Sequence, residues 1–210
     1  MTSSDIYPCK SKQPVRDALK DATNDYHNRL NQHNLLAGLT QPSYSLDMYR
    51  TLLSAYYILY QALESRLIAF QSPQSGQLDY SQRIKLPWIC NDLAFLGIEP
   101  IATIKSTALT IPVPTASSIG EYTGVLYVIE GSMLGGQLIS RSLAENHGLS
   151  GETGACFYHG YGKNTATMWK DFLGFAESIA EDAGERRLAE RAACHTFQFF
   201  INVLDCYAHS

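Results

Sequence analysis

EYTGVLYVIEGSMLGGQLISRSLAENH, residues 121–147, reads as one long helix whose middle is nearly stripped of side chains. Gly131, Ser132, Gly135 and Gly136 stand at i, i+1, i+4 and i+5. At 3.6 residues per turn they form one contiguous patch across two turns. Three glycines inside a helix cost roughly 2–3 kcal/mol relative to alanine, at about 1 each. Something must offset that cost. A flat, bulky group lying against the helix backbone would do so. Close packing of a second helix would do so equally, and is the commoner use of helical glycines.

Outward from this stretch, Ser118 and Glu121 fit a capping box that opens the helix, and Gly148 fits its stop. Residues 148–164 form a glycine-rich loop, followed by helix over 165–180. A last helix over 185–207 places Leu188, Ala192, His195, Phe199, Val203 and Cys206 on one stripe. Upstream, residues 98–117 are a connector rich in Thr, Pro and Ala. Residues 82–97 suggest a helix perturbed at Pro87, and QSPQSGQ at 71–77 is a loop by composition. A long helix over 46–70, capped by Ser45, carries a broad face that includes Tyr49, Leu52, Leu53, Tyr56, Tyr60 and Leu63. In the first helix, opening at Pro14, Val15, Leu19, Ala22, Tyr26 and Leu30 make an apolar stripe. Lys20, Thr23 and His27 lie together beside it, with Lys20 and His27 about 10.5 Å apart along the axis. No strand alternation appears. The pattern is all-α: a loose tail over 1–12 and one multi-helix domain over 13–210.

Composition excludes several functions. A net charge of −4 over 210 residues gives no footprint for nucleic acid or an anionic membrane. No apolar run approaches the ~20 residues that span a bilayer. The five cysteines are widely spaced without a CxxC pair, which disfavours a disulfide framework or structural zinc and fits a reducing cytoplasm. HExxH, E-x-x-H, G-x-S-x-G and a Walker loop are all missing.

Of the six histidines, His195 reads as a core residue on its stripe and His147 as a charge at a helix C-terminus. His33 and His209 read as surface residues, and His159 falls in the glycine-rich loop. His27 flanks an apolar face with a lysine two turns away; alone it is as ordinary as the rest. Taken jointly, the features describe one ligand. A flat macrocycle with an axial imidazole needs a histidine on one side, a thin helix on the other and cations for its carboxylates. His27, the Gly131–Gly136 patch and Lys20 supply these, and haem b with its iron matches.

The segment LKDATNDYH, residues 19–27, resembles the proximal-helix motif of haem oxygenases, and EGSMLGGQ, residues 130–137, resembles their distal helix. Weaker similarity runs through residues 49–67, 166–172 and 196–205. It is closest to the soluble bacterial branch, some members of which make biliverdin for phytochromes. The resemblance implies haem held between the first helix and a glycine-rich distal helix, as both cofactor and substrate. It implies oxidation by dioxygen to biliverdin, carbon monoxide and ferrous iron, with electrons from a separate reductase or ferredoxin. His27 would be the iron ligand, Thr23 and Gly135 would contact the ring, and Lys20 and Lys170 would hold the propionates. Gly131, Ser132, Gly135 and Gly136 would form the distal catalytic wall. Asn31, one turn past His27, is the expected acceptor for its second nitrogen, where relatives often have a carboxylate.

The chain also departs from the family pattern. Ser132 stands where animal-type members have an aspartate, Gly174 where they have a propionate-binding arginine, and Asn24 where they have a second lysine. Two other functions stay open on sequence: a haem-binding or carrier module without turnover, and a thiaminase-like hydrolase with Cys156 as nucleophile.

Overall fold

The computed structural model describes residues 13–70, 78–100 and 108–208. The expected tail over 1–12 and the loop over 71–77 lie outside the described residues, as does His209. Eight α-helices run through the described residues: α1 Val15–Asn31, α2 Leu46–Ala69, α3 Leu86–Phe95, α4 Ile119–Ser132, α5 Gly136–His147, α6 Cys156–His159, α7 Thr165–Ala176 and α8 Ala183–Ala208. Among these residues the only β pairing is a pair of isolated bridges at Ser150.

Local sequence sets the helix ends. Pro14 is the N-cap of α1 rather than its first residue, and its carbonyl accepts from the N–H groups of Asp17 and Ala18. Val15 and Leu19 are buried as their spacing demands, but Ala22 is exposed and Thr23 takes the inward position. The Thr23 hydroxyl donates to the Leu19 carbonyl at 2.7 Å, so it enters the core already satisfied. Ser45 caps α2 by accepting from the Met48 N–H, and Ser118 caps α4 by accepting from the Glu121 N–H. Gly148 ends α5 in the left-handed conformation at φ 68°, with the Leu149 N–H reaching back to the Leu143 carbonyl.

The long central helix expected over 121–147 is interrupted. α4 ends at Ser132, Met133–Gly135 tighten into a 3₁₀ turn, and α5 resumes at Gly136. The break falls on the glycines, where the backbone is least supported by side chains.

Two other glycines do the helix packing. A Cβ on Gly120 would collide with the Glu185 backbone carbonyl, and one on Gly124 with the Ala189 carbonyl and the Ala192 side chain. α4 and α8 therefore meet almost backbone to backbone. On a regular helix Gly120, Gly124 and Gly131 share a face, yet a Cβ on Gly131 would make only ordinary contact with Trp169 at 3.8 Å. Along one helix face, tight packing gives way to open space.

The end of α4 is anchored from the opposite side. Glu130, 2% exposed, accepts from Arg83 at 2.8 Å and from Lys85 at 2.7 Å; Tyr161 also donates to it. Glu64 accepts from the Tyr80 hydroxyl and from the backbone N–H groups of Lys85 and Leu86. Burial pushes the Glu64 carboxyl up and the Lys85 ammonium down, the latter opposed by Glu130. Every charge in this cluster has a partner, as low-dielectric burial requires.

Candidate functional site: a cavity between the first helix and the glycine break

A cavity of about 540 Å³ opens between α1 and the α4–α5 break. α1 contributes Arg16, Lys20, Thr23, Asn24, His27 and Asn31 to one wall, and Gly131, Ser132 and Gly135 belong to the opposite wall. The aromatic side chains of Tyr56, Phe157, Tyr158, Phe197 and Phe200 close the interior, and Tyr127 and Trp169 complete the lining. Such a space suits a rigid apolar body with a charged edge.

His27 is exposed at this wall and meets Phe197 edge-on, with ring centroids 6.0 Å apart and planes at 88°. Its Nδ1 lies 3.2 Å from Asn31 Nδ2. The reversed amide was expected, with the Asn31 oxygen accepting from Nδ1–H. As placed, the amide donates to Nδ1 and leaves the ring proton on Nε2. Turning the Asn31 amide by half a revolution presents Oδ1 to Nδ1–H and frees Nε2 as a metal ligand.

The expected distal wall divides. Nothing lies within 4 Å of a Cβ built on Gly135, and Gly131 is nearly as open. A Cβ on Gly136, by contrast, would press on the Tyr158 carbonyl at 2.6 Å. Gly136 is not among the lining residues, and its lack of a side chain answers to packing. The Ser132 hydroxyl donates to the Ile129 carbonyl at 2.7 Å and lies 3.2 Å from the hydroxyl of fully buried Tyr60. With its proton committed to Ile129, Ser132 accepts from Tyr60, whose phenol is held protonated by burial.

Lys20 lines the cavity, but Lys170, exposed on α7 beside the lining Trp169, does not. Arg16, one turn before Lys20, does line it and escaped the sequence reading, although its i−4 spacing from Lys20 was visible. Tyr127 and the α8 phenylalanines were likewise missed, because only the fold brings them to α1. Burial raises the Tyr127 phenol, an effect opposed by Thr23 and by the Arg16 charge and reinforced by the charges of Asp17 and Asp21.

The remaining histidines lie elsewhere. His147 Nε2 bonds the Tyr44 carbonyl at 2.9 Å, and His33 meets Asp205. His195, expected in the core, is exposed, with Thr196 buried in its place. The reading of Cys156 as a nucleophile has little support: burial pushes its thiol up. The carboxylate whose charge acts on it, Asp92, commits both oxygens to the N–H groups of Cys156 and Phe157. Among the described residues no three His, Cys, Asp or Glu side chains gather where they could hold a bare metal ion.

The cavity, lone imidazole and open glycine wall define the class of helical proteins that enclose a tetrapyrrole between two helices. The chain belongs to the haem oxygenase family: the pattern described as Heme oxygenase matches residues 13–205. A Heme oxygenase of Xanthomonas campestris pv. campestris is 27% identical over 170 residues, covering 81% of this chain and 96% of that one. Among solved structures, heme oxygenase-2 of Synechocystis sp. PCC 6803, in complex with heme and NO, superposes with a TM-score of 0.78 at 17% identity, covering 94% of this chain and 86% of that one. The Leptospira interrogans enzyme gives 0.76 at 16%, with coverage of 91% and 98%. The protein is an oxygen-dependent oxidoreductase that cleaves haem to biliverdin, carbon monoxide and ferrous iron. No helix among the described residues is long and apolar enough to cross a membrane.

Proposed function

We propose that His27 is the single protein ligand to the haem iron, and that Thr23, Gly131, Ser132 and Gly135 form the working surface around the ring. The observation that carries this is the pairing of one cavity-lining imidazole on α1 with a facing wall of glycines that have room in front of them. The bound ring supplies both the iron that binds dioxygen and the carbon that is oxidised.

This chain's own residues bind, orient and hold protons. Phe197 packs on the edge of His27 and limits its rotation, while Asn31 sets its tautomer. A neutral amide donates less electron density to the imidazole than a carboxylate would. Gly131 and Gly135 let a small ligand lie against the helix backbone. Ser132 presents an acceptor to the cavity, so a water there donates one hydrogen to Oγ and keeps the other for the substrate side. Ser132 thus supplies acceptor polarity where animal-type members have an aspartate, without the charge. Gly136 and Lys170 are outside the proposed set.

Electrons come from a separate reductase or ferredoxin, in a cytoplasmic setting where the bilin can be passed to a phytochrome. The test mixes purified protein with hemin and then adds an electron donor in air. A Soret complex that decays to a bilin spectrum supports the assignment. A stable complex favours a carrier, and the lack of any complex rejects the site.

A further inference from the structure

One buried side chain joins two walls of the cavity. Arg83 ends a short 3₁₀ turn, Tyr80–Arg83, and is 3% exposed. Its Nη1 donates to Glu130 Oε2 at 2.8 Å and to the Met168 carbonyl at 3.0 Å. Neither Glu130 nor Met168 lines the cavity, but each directly precedes a residue that does: Gly131 near the end of α4 and Trp169 on α7. Those two face each other. A Cβ on Gly131 would meet Cη2 and Cζ3 of the Trp169 ring, both at 3.8 Å. The indole lies between Tyr127 of α4, with ring centroids 6.0 Å apart, and buried Phe172 of α7, at 5.1 Å. Lys85 also donates to Glu130, at 2.7 Å, but its other bonds go to the Arg83 carbonyl and the Tyr161 hydroxyl. Lys85 therefore holds α4 without reaching α7, and Arg83 holds both.

We infer that Arg83 is a positioning residue for the reaction: by tying the end of α4 to α7 it sets the gap between the Gly131 backbone and the Trp169 indole, and so the width of the space over the ring. The inference rests on the haem assignment above. The physical reason is that a bare wall cannot space itself. Gly131 has no side chain to hold the indole at a distance, and the two meet only at ordinary contact range. The spacing has to be set from a point outside the cavity. A buried guanidinium suits this task. Its planar donors have fixed directions, and in a low dielectric each bond is strong and costly to break. Sliding α4 against α7 would break the charge-assisted bond to Glu130 or the bond to the Met168 carbonyl, so the pair of helices has one favoured register. A misplacement of about 1 Å, caused far from the reacting atoms, can lower a rate about a hundredfold.

The test reads the gap first without haem. The chain has two tryptophans, Trp88 and Trp169, and Trp88 packs on Tyr161. A Trp88→Phe background leaves Trp169 as the single reporter in the apo protein. Three variants are made in it. Arg83→Met combined with Glu130→Gln removes one buried cation and one buried anion together. Arg83→Lys keeps the charge but loses the fork. Glu64→Gln disturbs the same buried cluster at a carboxylate whose hydrogen bonds go to Tyr80, Lys85 and Leu86, not to α4 or α7. In the double variant Trp169 emission shifts to the red and its quenching by acrylamide rises. Bilin formation at saturating hemin falls roughly ten- to a hundredfold. Hemin affinity, set mainly by apolar burial, falls by no more than about threefold. Arg83→Lys lies between the double variant and the background protein in both fluorescence and turnover. Glu64→Gln melts lower but keeps the background quenching and turnover. Background-like quenching and turnover in Arg83→Lys and in a folded double variant overturn the inference; if the double variant does not fold, Arg83→Lys decides alone. Glu64→Gln reproducing both changes overturns it too, because the effect is then general loosening. A wild type that forms no Soret complex with hemin rejects the haem assignment, while the apo fluorescence still reads the tie between α4 and α7.

Discussion

Gly135→Ala should make the protein more stable and its haem site worse, whereas Gly124→Ala should do the opposite to stability. Gly135 sits at φ −80°, ψ −13°, a conformation alanine adopts without strain, and its Cβ would touch nothing within 4 Å. The substitution removes unfolded-state freedom at no contact cost, a gain of about 0.5–1 kcal/mol. For a chain of this size 1 kcal/mol is about 2–4 °C in Tm, so the apo protein should melt about 1–4 °C higher. Gly124 lies inside α4, but its Cβ would enter the Ala189 carbonyl. α4 and α8 must then separate, at an overpacking cost of about 1–3 kcal/mol, or roughly 2–12 °C lost. Thermal melts of apo protein followed by circular dichroism read both changes. Hemin titration and bilin formation complete the assay. The added methyl at Gly135 lies where ring or oxygen would sit, so turnover should fall, and Gly135→Leu should abolish it without lowering Tm. If Gly135→Ala melts below wild type, or Gly135→Leu binds and degrades hemin normally, the wall at Gly135 is not the open surface described here.

Two further outcomes follow from named contacts. His27→Ala should still bind hemin through apolar burial and the α1 cations, weakened roughly tenfold, or about 1.4 kcal/mol. It should lose nearly all bilin formation and recover part with added imidazole; a wild-type absorption spectrum in this variant would remove His27 as the ligand. Glu130→Ala should leave Arg83 and Lys85, 3% and 0% exposed, as two buried cations with only the Glu64 carboxylate to offset them. That costs about 3–5 kcal/mol, to be measured by urea unfolding, and a loss below about 1 kcal/mol would mean water reaches the cluster.

Periodicity and capping were enough to read the helical class. Val15 and Leu19, the broad face of α2, and the caps Ser45, Ser118 and Gly148 all act through neighbours within a turn or two, and such terms are written in the local sequence. Lys20, Thr23 and His27 were legible as neighbours because their spacing lies on the single helix α1, whereas the glycine patch, expected on one helix, is divided among α4, a 3₁₀ turn and α5. What that spacing left open was which glycines serve packing and which face a cavity. Gly124 and Gly136 meet the backbone of α8 and of the Tyr158 segment, while Gly131 meets only the Trp169 ring at ordinary contact distance and Gly135 meets open space. The difference lies in where a distant helix diverges, and no residue near the glycines encodes it. The same holds for the burial of Thr23 in place of Ala22, the exposure of His195, the Tyr60–Ser132 bond and the Arg83–Glu130–Lys85 cluster, whose partners lie 45–72 residues apart in the chain. The sequence by itself determined the helical class, the caps at Ser45, Ser118 and Gly148, and the shared face of Lys20, Thr23 and His27 on α1, because these rest on local backbone energetics. Only the tertiary structure decided which side chains share the cavity, because long-range packing and low-dielectric pairing exist only once the helices have met.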